Sequence, residues 1–150
     1  MKVADILAFK GSVVITIKPS ESVGTLSKLL REKRIGAAIV SNDGQTIDGV
    51  VSERDVAYGL SVHKADLRAL LVSALMTKAV ITCSPGDDVA KVASTMLSRN
   101  IRHIPVHDGS RLVGMVSIRD VLNVRLDELQ RETAQLRSLA SQTTSEPQDR

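Results

Sequence analysis

The sequence predicts an α/β fold made of two like half-domains, each with the order strand, helix, strand, strand, helix. The octapeptide GVVSERDV at 49–56 returns as GMVSIRDV at 114–121, 65 residues later. The chain has 150 residues, 43% of them hydrophobic. A half of roughly 60 residues would bury only a marginal fraction of its surface alone, so the halves should share a core. A duplicated unit therefore predicts two half-domains that face each other, with two like clefts between them.

Each half begins with a short run of residues that favour a strand, at 13–17 (VVITI) and 79–83 (AVITC), shortly before a proline. A helix follows, and Ser22 or Asp87 can cap it. The helices are indicated by apolar residues at intervals of three to four, namely Val23, Leu26, Leu29 and Leu30 in the first copy and Val89, Val92, Ala93, Met96 and Leu97 in the second.

Two strands then follow in each half. Residues 37–40 and 47–52 are joined by Asn42-Asp43-Gly44, and residues 104–106 and 112–117 are joined by Asp108-Gly109. An Asp-Gly pair between apolar runs is a strong hairpin signal, since both turn positions need positive φ. A second helix opens at each copy of the octapeptide.

The predicted division of the chain is 1–62 for the first half, 63–75 for a connection, 76–126 for the second half, 127–142 for a helical extension and 143–150 for a disordered tail. Five apolar residues in the connection predict a short helix that packs on the domain: Leu67, Leu70, Leu71, Ala74 and Leu75.

The last helix is predicted to be longer than its counterpart in the first half. Its amphipathic pattern comes from Leu122, Leu126, Leu129, Leu136 and Leu139, which are interleaved with charged residues. Three of these leucines are spaced by seven residues, so the helix either lies on its own domain or contacts a helix of another subunit. The sequence leaves these two alternatives open.

Composition narrows the function. The net charge of +3 is mild, and one Phe, one Tyr and no Trp argue against a protein that stacks single-stranded bases. Cys83 has no partner for an intramolecular disulfide, and a buried apolar role is expected for it. The three histidines are not spaced as metal ligands. With no apolar run of membrane-spanning length and no signal-peptide pattern, we expect a cytoplasmic protein without a membrane partner.

The duplicated octapeptide contains Ser-x-x-Asp at Ser52 and Asp55 and again at Ser117 and Asp120. One interpretation is structural, because a serine at the N-cap and an acidic residue at N3 form a capping box. The other is a ligand site, because the N–H groups of a helix N-terminus attract phosphate and a carboxylate accepts from ribose hydroxyls. The arginines before both aspartates and the two-fold recurrence favour the ligand site.

At this point the chain resembles the cystathionine-β-synthase-type domain, or CBS domain, over roughly residues 1–125. The resemblance is carried by GVVSERDV and by Ile104-Pro105-Val106 before a tight turn. It implies two β-α-β-β-α repeats that pack through their sheets with pseudo-two-fold symmetry, as in a Bateman module. It also implies two clefts that bind adenosine compounds, with AMP, ADP, ATP, NAD(H) and S-adenosylmethionine as the candidates.

In the family, each cleft takes Ser-x-x-Asp from one repeat and an adenine-lining strand from the other. For cleft A the resemblance implies Ser52, Arg54, Asp55, Ser84, Val89, Ile101, Arg102, His103, Ile104 and Pro105. For cleft B it implies Ser117, Arg119, Asp120, Lys18, Val23, Ile35, Gly36, Ala37 and Ile39. His103 is equally well explained as a partly buried imidazole.

Because Arg102-His103 has no basic counterpart in the first copy, we expect cleft A to be the more cationic and to take the more highly phosphorylated ligand. Whether one or both clefts are used is left open. The expected role is a nucleotide sensor that regulates an unknown partner, and a homodimer is expected.

No catalytic residue is predicted, because neither motif serine has a histidine base beside it. The alternative is a structural dimerisation or nucleic-acid-binding module.

Overall fold

A computed structural model of the chain describes residues 1–11, 13–63 and 66–144. These residues form six α-helices, a 3-10 helix at Leu67–Ala69 and two small sheets. The helices are α1 (Val3–Lys10), α2 (Val23–Lys33), α3 (Glu53–Val62), α4 (Val72–Leu75), α5 (Val89–Arg99) and α6 (Ile118–Thr144). The strands are β1 (Thr16–Ile17), β2 (Ala37–Val40), β3 (Gly49–Ser52), β4 (His103–Asp108) and β5 (Arg111–Ser117). The predicted mixed α/β class is confirmed.

The two sheets differ in how far their first strand forms. In the first sheet, with the order β1-β2-β3, β1 is parallel to β2 and β2 is antiparallel to β3. The second sheet contains β4 and β5, and Cys83 adds only a single parallel bridge to Val106. The predicted strands at 13–17 and 79–83 were therefore too long. Residues 13–15 and 79–81 line the clefts, and of these Ile15 still accepts a hydrogen bond from the Ile39 N–H of β2, at 3.3 Å.

The hairpin turns also differ from the prediction. Asp108 pairs with Arg111 inside the sheet, so Gly109 and Ser110 are the central residues of that turn, and only Gly109 has positive φ, at 64°. In the first half, the Asp43 carboxylate accepts from the backbone N–H groups of Gln45 at 2.8 Å and Thr46 at 2.7 Å. This Asx-type turn lengthens the loop, and β3 starts at Gly49 instead of residue 47.

The predicted cap of α2 is confirmed, since Ser22 Oγ accepts from the Thr25 N–H at 3.1 Å. The cap of α5 was predicted at Asp87 but lies at Asp88. Asp87 instead accepts from the Ser84 N–H at 2.9 Å, and Asp88 pairs with Lys2. Leu97 of α5 was predicted on the apolar face, yet it is 79% exposed, because the turns of α5 present Val89, Val92 and Met96 to the core.

Each half receives a short helix from the segment that precedes the other half. Val3 and Ile6 of α1 are buried in the core of the second half, and Val72 of α4 is buried in the core of the first. The attachments match, since the Val3 N–H donates to Asp87 O at 2.9 Å and the Val72 N–H donates to Glu21 O at 2.8 Å. The two halves are thus held together by reciprocal exchange of short helices.

Two glycines allow these exchanged helices to approach the last strand of each half. A Cβ at Gly114 would lie 2.6 Å from Leu7 Cδ2, and a Cβ at Gly49 would lie 2.8 Å from the backbone oxygen of Thr77. A side chain at Gly49 is therefore blocked by backbone, whereas one at Gly114 would require the Leu7 side chain to move.

The predicted helical connection is confirmed in part by α4, which packs on the first core. Helix α6 runs to Thr144, past the predicted end of the extension at residue 142, and the rest of the predicted tail lies outside the described residues. No helix among the described residues is both long and apolar enough to cross a membrane.

Candidate adenosine-binding clefts

The described residues form a cleft beside each copy of Ser-x-x-Asp. Cleft A has a volume of about 200 Å³ and is lined by Gly36, Val50, Ser52, Glu53, Arg54, Asp55, Thr77, Ala79, Val80, Ile81, Asn100, Ile101, Arg102 and His103. Cleft B has a volume of about 660 Å³ and is lined by Lys10, Gly11, Val13, Val14, Ile15, Leu30, Arg31, Arg34, Ile35, Gly36, Ala37, Glu53, Arg102, His103, Met115, Ser117, Ile118, Arg119 and Asp120.

In cleft A the motif forms a complete capping box. The Ser52 N–H and hydroxyl donate to Asp55 Oδ2 at 2.8 Å and 3.0 Å, and the Asp55 N–H donates to Ser52 Oγ at 3.3 Å. A carboxylate has two acceptor oxygens. Since both bonds from Ser52 reach Oδ2, the bonds among described residues leave Oδ1 for a ligand, and capping does not exclude binding.

Cleft B repeats this geometry and adds a cation. The Ser117 N–H donates to Asp120 Oδ2 at 2.8 Å, and the Asp120 N–H donates to Ser117 Oγ at 3.2 Å. Lys10 Nζ lies 2.9 Å from the same Oδ2 and donates to the Met115 carbonyl at 3.0 Å. Partial burial acts to raise the pKa of Asp120, but the bonds from Ser117 and Lys10 outweigh it and hold the pKa below its usual value.

The helix N-termini offer fewer free N–H groups than the sequence predicted. The first amides of α3 and α6, at Glu53 and Ile118, donate to the carbonyls of Gly36 and Arg102 at 2.9 Å and 2.8 Å. The third amide of each helix donates to the motif serine. A phosphate at either helix would therefore meet the second amide and the side chains around it, so the cleft cations carry most of its recognition.

Four residues form a partition that lines both clefts: Gly36, Glu53, Arg102 and His103. The His103 ring packs on Gly36, where a Cβ would lie 3.3 Å from the ring atoms. Burial lowers the pKa of His103, and the nearby Glu53 carboxylate opposes this. His103 is thus half-buried between the two clefts. This position agrees with the interpretation of a partly buried imidazole, and it also leaves the ring able to contact a ligand in either cleft.

The charge of the clefts is the reverse of the sequence-based expectation. Cleft A contains two arginines and two carboxylates, so its charges balance. Cleft B contains five cations against the carboxylates of Glu53 and Asp120, and the five are Lys10, Arg31, Arg34, Arg102 and Arg119. The prediction that cleft A is the more cationic was wrong. Arg102 lies on the partition and serves both clefts, while Arg31 and Arg34, at the C-terminal end of α2, face cleft B.

Of the residues expected in cleft A, the structure places six along it: Ser52, Arg54, Asp55, Ile101, Arg102 and His103. Of those expected in cleft B, it places six: Ser117, Arg119, Asp120, Ile35, Gly36 and Ala37. The remaining seven do not line their cleft. Five are buried, namely Val23, Ile39, Val89, Ile104 and Pro105. The other two, Lys18 and Ser84, lie at the ends of the extended segments, past the residues that face the clefts.

The segments 13–15 and 79–81 form cleft walls that were not predicted. Their repetition as VVI and AVI is visible in the sequence, but such a run by itself predicts only a strand. Lys10 was also missed, because α1 was not predicted.

Arg54 has a structural contact as well as its place in cleft A, since its Nη1 donates to the Asn100 carbonyl at 3.2 Å, at the C-terminal end of α5. Among the described residues no cluster of three or more His, Cys, Asp or Glu side chains could hold a metal ion.

Comparison with known proteins agrees with this architecture. The CBS domain family matches residues 3–61 and 72–127. The crystal structure of a CBS-domain containing protein from Agrobacterium tumefaciens is 33% identical, with a TM-score of 0.80 over 83% of this chain and 99% of that one. A CBS domain protein from Pyrobaculum aerophilum, complexed with AMP, is 26% identical, with a TM-score of 0.71 over 80% of this chain and 89% of that one.

The CBS domain pair of protein MJ0100, in complex with 5′-methylthioadenosine and S-adenosyl-L-methionine, is 26% identical, with a TM-score of 0.74 over 85% of this chain and 98% of that one. The chain spans about half to two thirds of the length of similar curated proteins, such as those from Methanopyrus kandleri, Acidianus ambivalens and Methanocaldococcus jannaschii. The duplicated motif, the two facing clefts and the family match agree, and this chain belongs to the CBS domain family as a pair of CBS repeats.

Proposed function

We propose that this chain is a regulatory module that binds an adenosine-containing ligand, with cleft B as its principal site. The observation that carries the proposal is the pairing of the Ser117–Asp120 capping box with a cationic cleft of about 660 Å³. Ligand pockets have volumes of about 300–1,000 Å³, and only cleft B falls in this range. Cleft A, at about 200 Å³, is the smaller of the two.

Each part of a nucleotide has a chemical counterpart in cleft B. Asp120 Oδ1 can accept from ribose hydroxyls while Oδ2 caps the helix. The guanidinium groups of Arg31, Arg34 and Arg119 can bind phosphate in bidentate fashion. Aliphatic side chains, including Val14 and Ile35, provide a slot for the adenine ring. The cleft thus fits an adenosine whose 5′ substituent is anionic.

The charge of cleft B predicts a preference among adenosine compounds. Five cations against two carboxylates favour AMP, ADP or ATP and disfavour the positively charged sulfonium of S-adenosylmethionine. Relatives of known structure hold both classes, AMP in one and S-adenosyl-L-methionine with 5′-methylthioadenosine in the other. We infer that this chain resembles the AMP binder in preferring an anionic adenosine ligand, and that ADP, ATP and NAD(H) are to be compared with AMP.

The regulatory output is proposed to be a change in the contacts between the halves. Lys10 is at the end of α1, whose Val3 and Ile6 lie in the second core, and it contacts Asp120 in the cleft. A ligand that draws Lys10 or Asp120 toward itself alters how α1 is held. Such a ligand shifts the protein toward another state only as far as it binds the two states differently. We propose that a homodimer presents this change to a partner protein, without catalysis.

The proposal is tested by calorimetry of AMP, ATP, NAD, S-adenosylmethionine and 5′-methylthioadenosine with wild type, Asp55→Ala and Asp120→Ala. We expect AMP to bind more tightly than S-adenosylmethionine and Asp120→Ala to abolish the tighter AMP site. A ligand at 100 times its Kd should also stabilise the fold by about 2.7 kcal/mol, which a thermal shift detects.

Ser22→Ala is the matched control, because it removes a helix cap outside both clefts. It should cost about 1 kcal/mol of stability, as the aspartate variants do through their lost caps, while leaving every ligand affinity unchanged. If Asp55→Ala and Asp120→Ala behave like Ser22→Ala, the motif serves only to cap helices and the proposal is wrong.

A further inference from the structure

The last helix of the protein carries an exposed row of leucines that its own domain does not cover. Ile118, Val121 and Val124 belong to the face of α6 that packs on the second core. Roughly a quarter of a turn away, at 100° per residue, four leucines lie with more than half of their surface exposed. They are Leu122 at 54%, Leu126 at 56%, Leu129 at 56% and Leu136 at 61%. A fifth exposed leucine of α6, Leu139 at 59%, lies at a g position beside this row.

These leucines follow a heptad pattern. With Leu122, Leu129 and Leu136 at d positions, the a positions are Leu126, Thr133 and Ala140. Such an a/d seam is narrow and is typical of a two-stranded coiled coil, whereas a helix that packs on a globular core has a wider apolar face. The seam also continues past residue 127, where the match to the CBS domain ends. It is therefore an addition to the nucleotide-binding module.

The charged residues beside the seam indicate what covers it. Glu132 is at a g position and Arg137 is at the e position of the next heptad, and both are exposed. In a parallel, in-register pair of helices, a g residue faces the following e residue of the other helix. Glu132 of each copy would then meet Arg137 of the second copy, which gives two pairs of opposite charge. An antiparallel pair would not bring Glu132 and Arg137 together, because in that orientation g residues face g residues and e residues face e residues.

Two further ion pairs of α6 form within the chain, and one of them includes Arg125 at a g position. Arg131 pairs with Asp127 at 3.0 Å, and Arg125 pairs with Glu128 at 2.9 Å. Asp127 and Arg131 are at b and f positions, on the outer side of the proposed pair. The leucine seam and the Glu132–Arg137 pairs beside it are thus consistent with a parallel dimer, and the outer residues Asp127 and Arg131 pair within their own helix.

We propose that α6 joins two copies of this chain through a parallel, in-register, two-stranded coiled coil over residues 122–140. The inference deepens the proposed homodimer and rests on it only in requiring that two copies associate. It does not depend on nucleotide binding. The coiled coil would fix the orientation of the clefts of one copy relative to those of the other. Since Asp120 lies in the first turn of α6, a ligand-dependent change at Asp120 would act on the same helix that forms the subunit interface.

Cysteine cross-linking of the full chain tests the register. In a parallel, in-register pair a d residue lies against its own counterpart, so Leu136→Cys should form a disulfide-linked dimer under mild oxidation. The native Cys83 gives no background, because it is 6% exposed and burial raises the pKa of its thiol to about 11. Arg131→Cys is the control, since its position faces away from the seam and should cross-link at least tenfold more slowly.

Charge reversal gives an independent measure. Glu132→Arg and Arg137→Glu should each weaken dimerisation about tenfold in sedimentation equilibrium, and the double variant should recover to within about twofold of wild type. An antiparallel pair would show no such recovery. If Leu136→Cys cross-links no faster than Arg131→Cys, the coiled coil is wrong. A dimer that persists in that case would leave the proposed homodimer intact, joined through another face.

Discussion

Lys10 Nζ lies 2.9 Å from Asp120 Oδ2, although 110 residues separate the two in the chain. The pair joins the end of α1 to the first turn of α6, across cleft B. At the corresponding place in cleft A, at the end of the α4 segment, the chain has Ala79. The two clefts therefore share a motif but differ in charge at the residue that faces the aspartate.

Lys10→Met is expected to change the ligand preference of cleft B. Without the ammonium group, binding of AMP should weaken by about three- to tenfold, the effect of one partly exposed charge contact. Binding of the uncharged 5′-methylthioadenosine should hold, because it has no phosphate for the ammonium group to attract and Lys10 bonds Asp120 through Oδ2, not through the Oδ1 proposed for the ribose. Calorimetry with the two ligands measures this split.

Lys91→Met is the control for that experiment, since Lys91 lies on α5 outside both clefts. It should leave both affinities unchanged. Equal weakening of both ligands by Lys10→Met would mean that Lys10 serves only to position α1, and the phosphate role would be abandoned.

Gly49→Ala is expected to destabilise the protein more than Gly114→Ala. The new Cβ at Gly49 would lie 2.8 Å from a backbone oxygen, which cannot move without displacing the chain, and at Gly114 it would meet only the end of the Leu7 side chain. Overpacking of this kind costs about 1–3 kcal/mol, and we expect Gly49→Ala at the upper end. Urea denaturation measures the difference.

Gly86→Ala is the matched control, because a Cβ added there would have no described atom within 4 Å and the φ of Gly86 is not in the left-handed region. It should be neutral or slightly stabilising, by up to about 1 kcal/mol, through a less flexible unfolded chain. Equal effects for all three alanines would show that the exchanged helices are not tightly packed on β3 and β5.

The duplicated sequence was sufficient to predict the fold class, because apolar periodicity and hairpin signals recur at a constant spacing. It did not predict the exchange of α1 and α4 between halves. The eight residues of α1 form too short a helix for periodicity to define, and its partners are near Pro85 and Asp87, far along the chain. The likeness of VADIL at 3–7 to VSALM at 72–76 was the signal available.

For the site, the motif residues were predictable because their chemistry is local to one helix turn. The charge of each cleft was not, since it depends on which helix ends point inward. Arg31 and Arg34 lie at the C-terminal end of α2, where the helix dipole favours cations in any case, so nothing in the sequence indicates that they line cleft B. Val89 and Ile104 were assigned to a cleft only through the family resemblance, and both are buried in the core instead, Val89 at the start of α5 and Ile104 in β4.

His103 predicts a loss of stability on mild acidification. Burial holds its pKa below the usual 6.5, so the unfolded chain binds a proton at a higher pH than the folded chain does. The free energy of unfolding should therefore fall as pH decreases from 7 to 5. His103→Gln should show a smaller decrease over that range, measured by urea denaturation at each pH.

His63→Gln controls for the loss of a histidine elsewhere and should follow wild type. The contribution of Asp120 lies in a different range, because its lowered pKa gives stability that is lost only as pH falls below about 4. If His103→Gln and wild type lose stability in parallel between pH 7 and 5, the folded protein binds the proton as readily as the unfolded chain.

The most direct test is a crystal structure of the full chain grown with AMP. We expect density for AMP in cleft B, with ribose hydroxyls donating to Asp120 Oδ1 and the phosphate among Arg31, Arg34 and Arg119. Both clefts empty at saturating AMP, with Asp55 and Asp120 bonded only to their own helices and neighbouring lysine, would contradict the account.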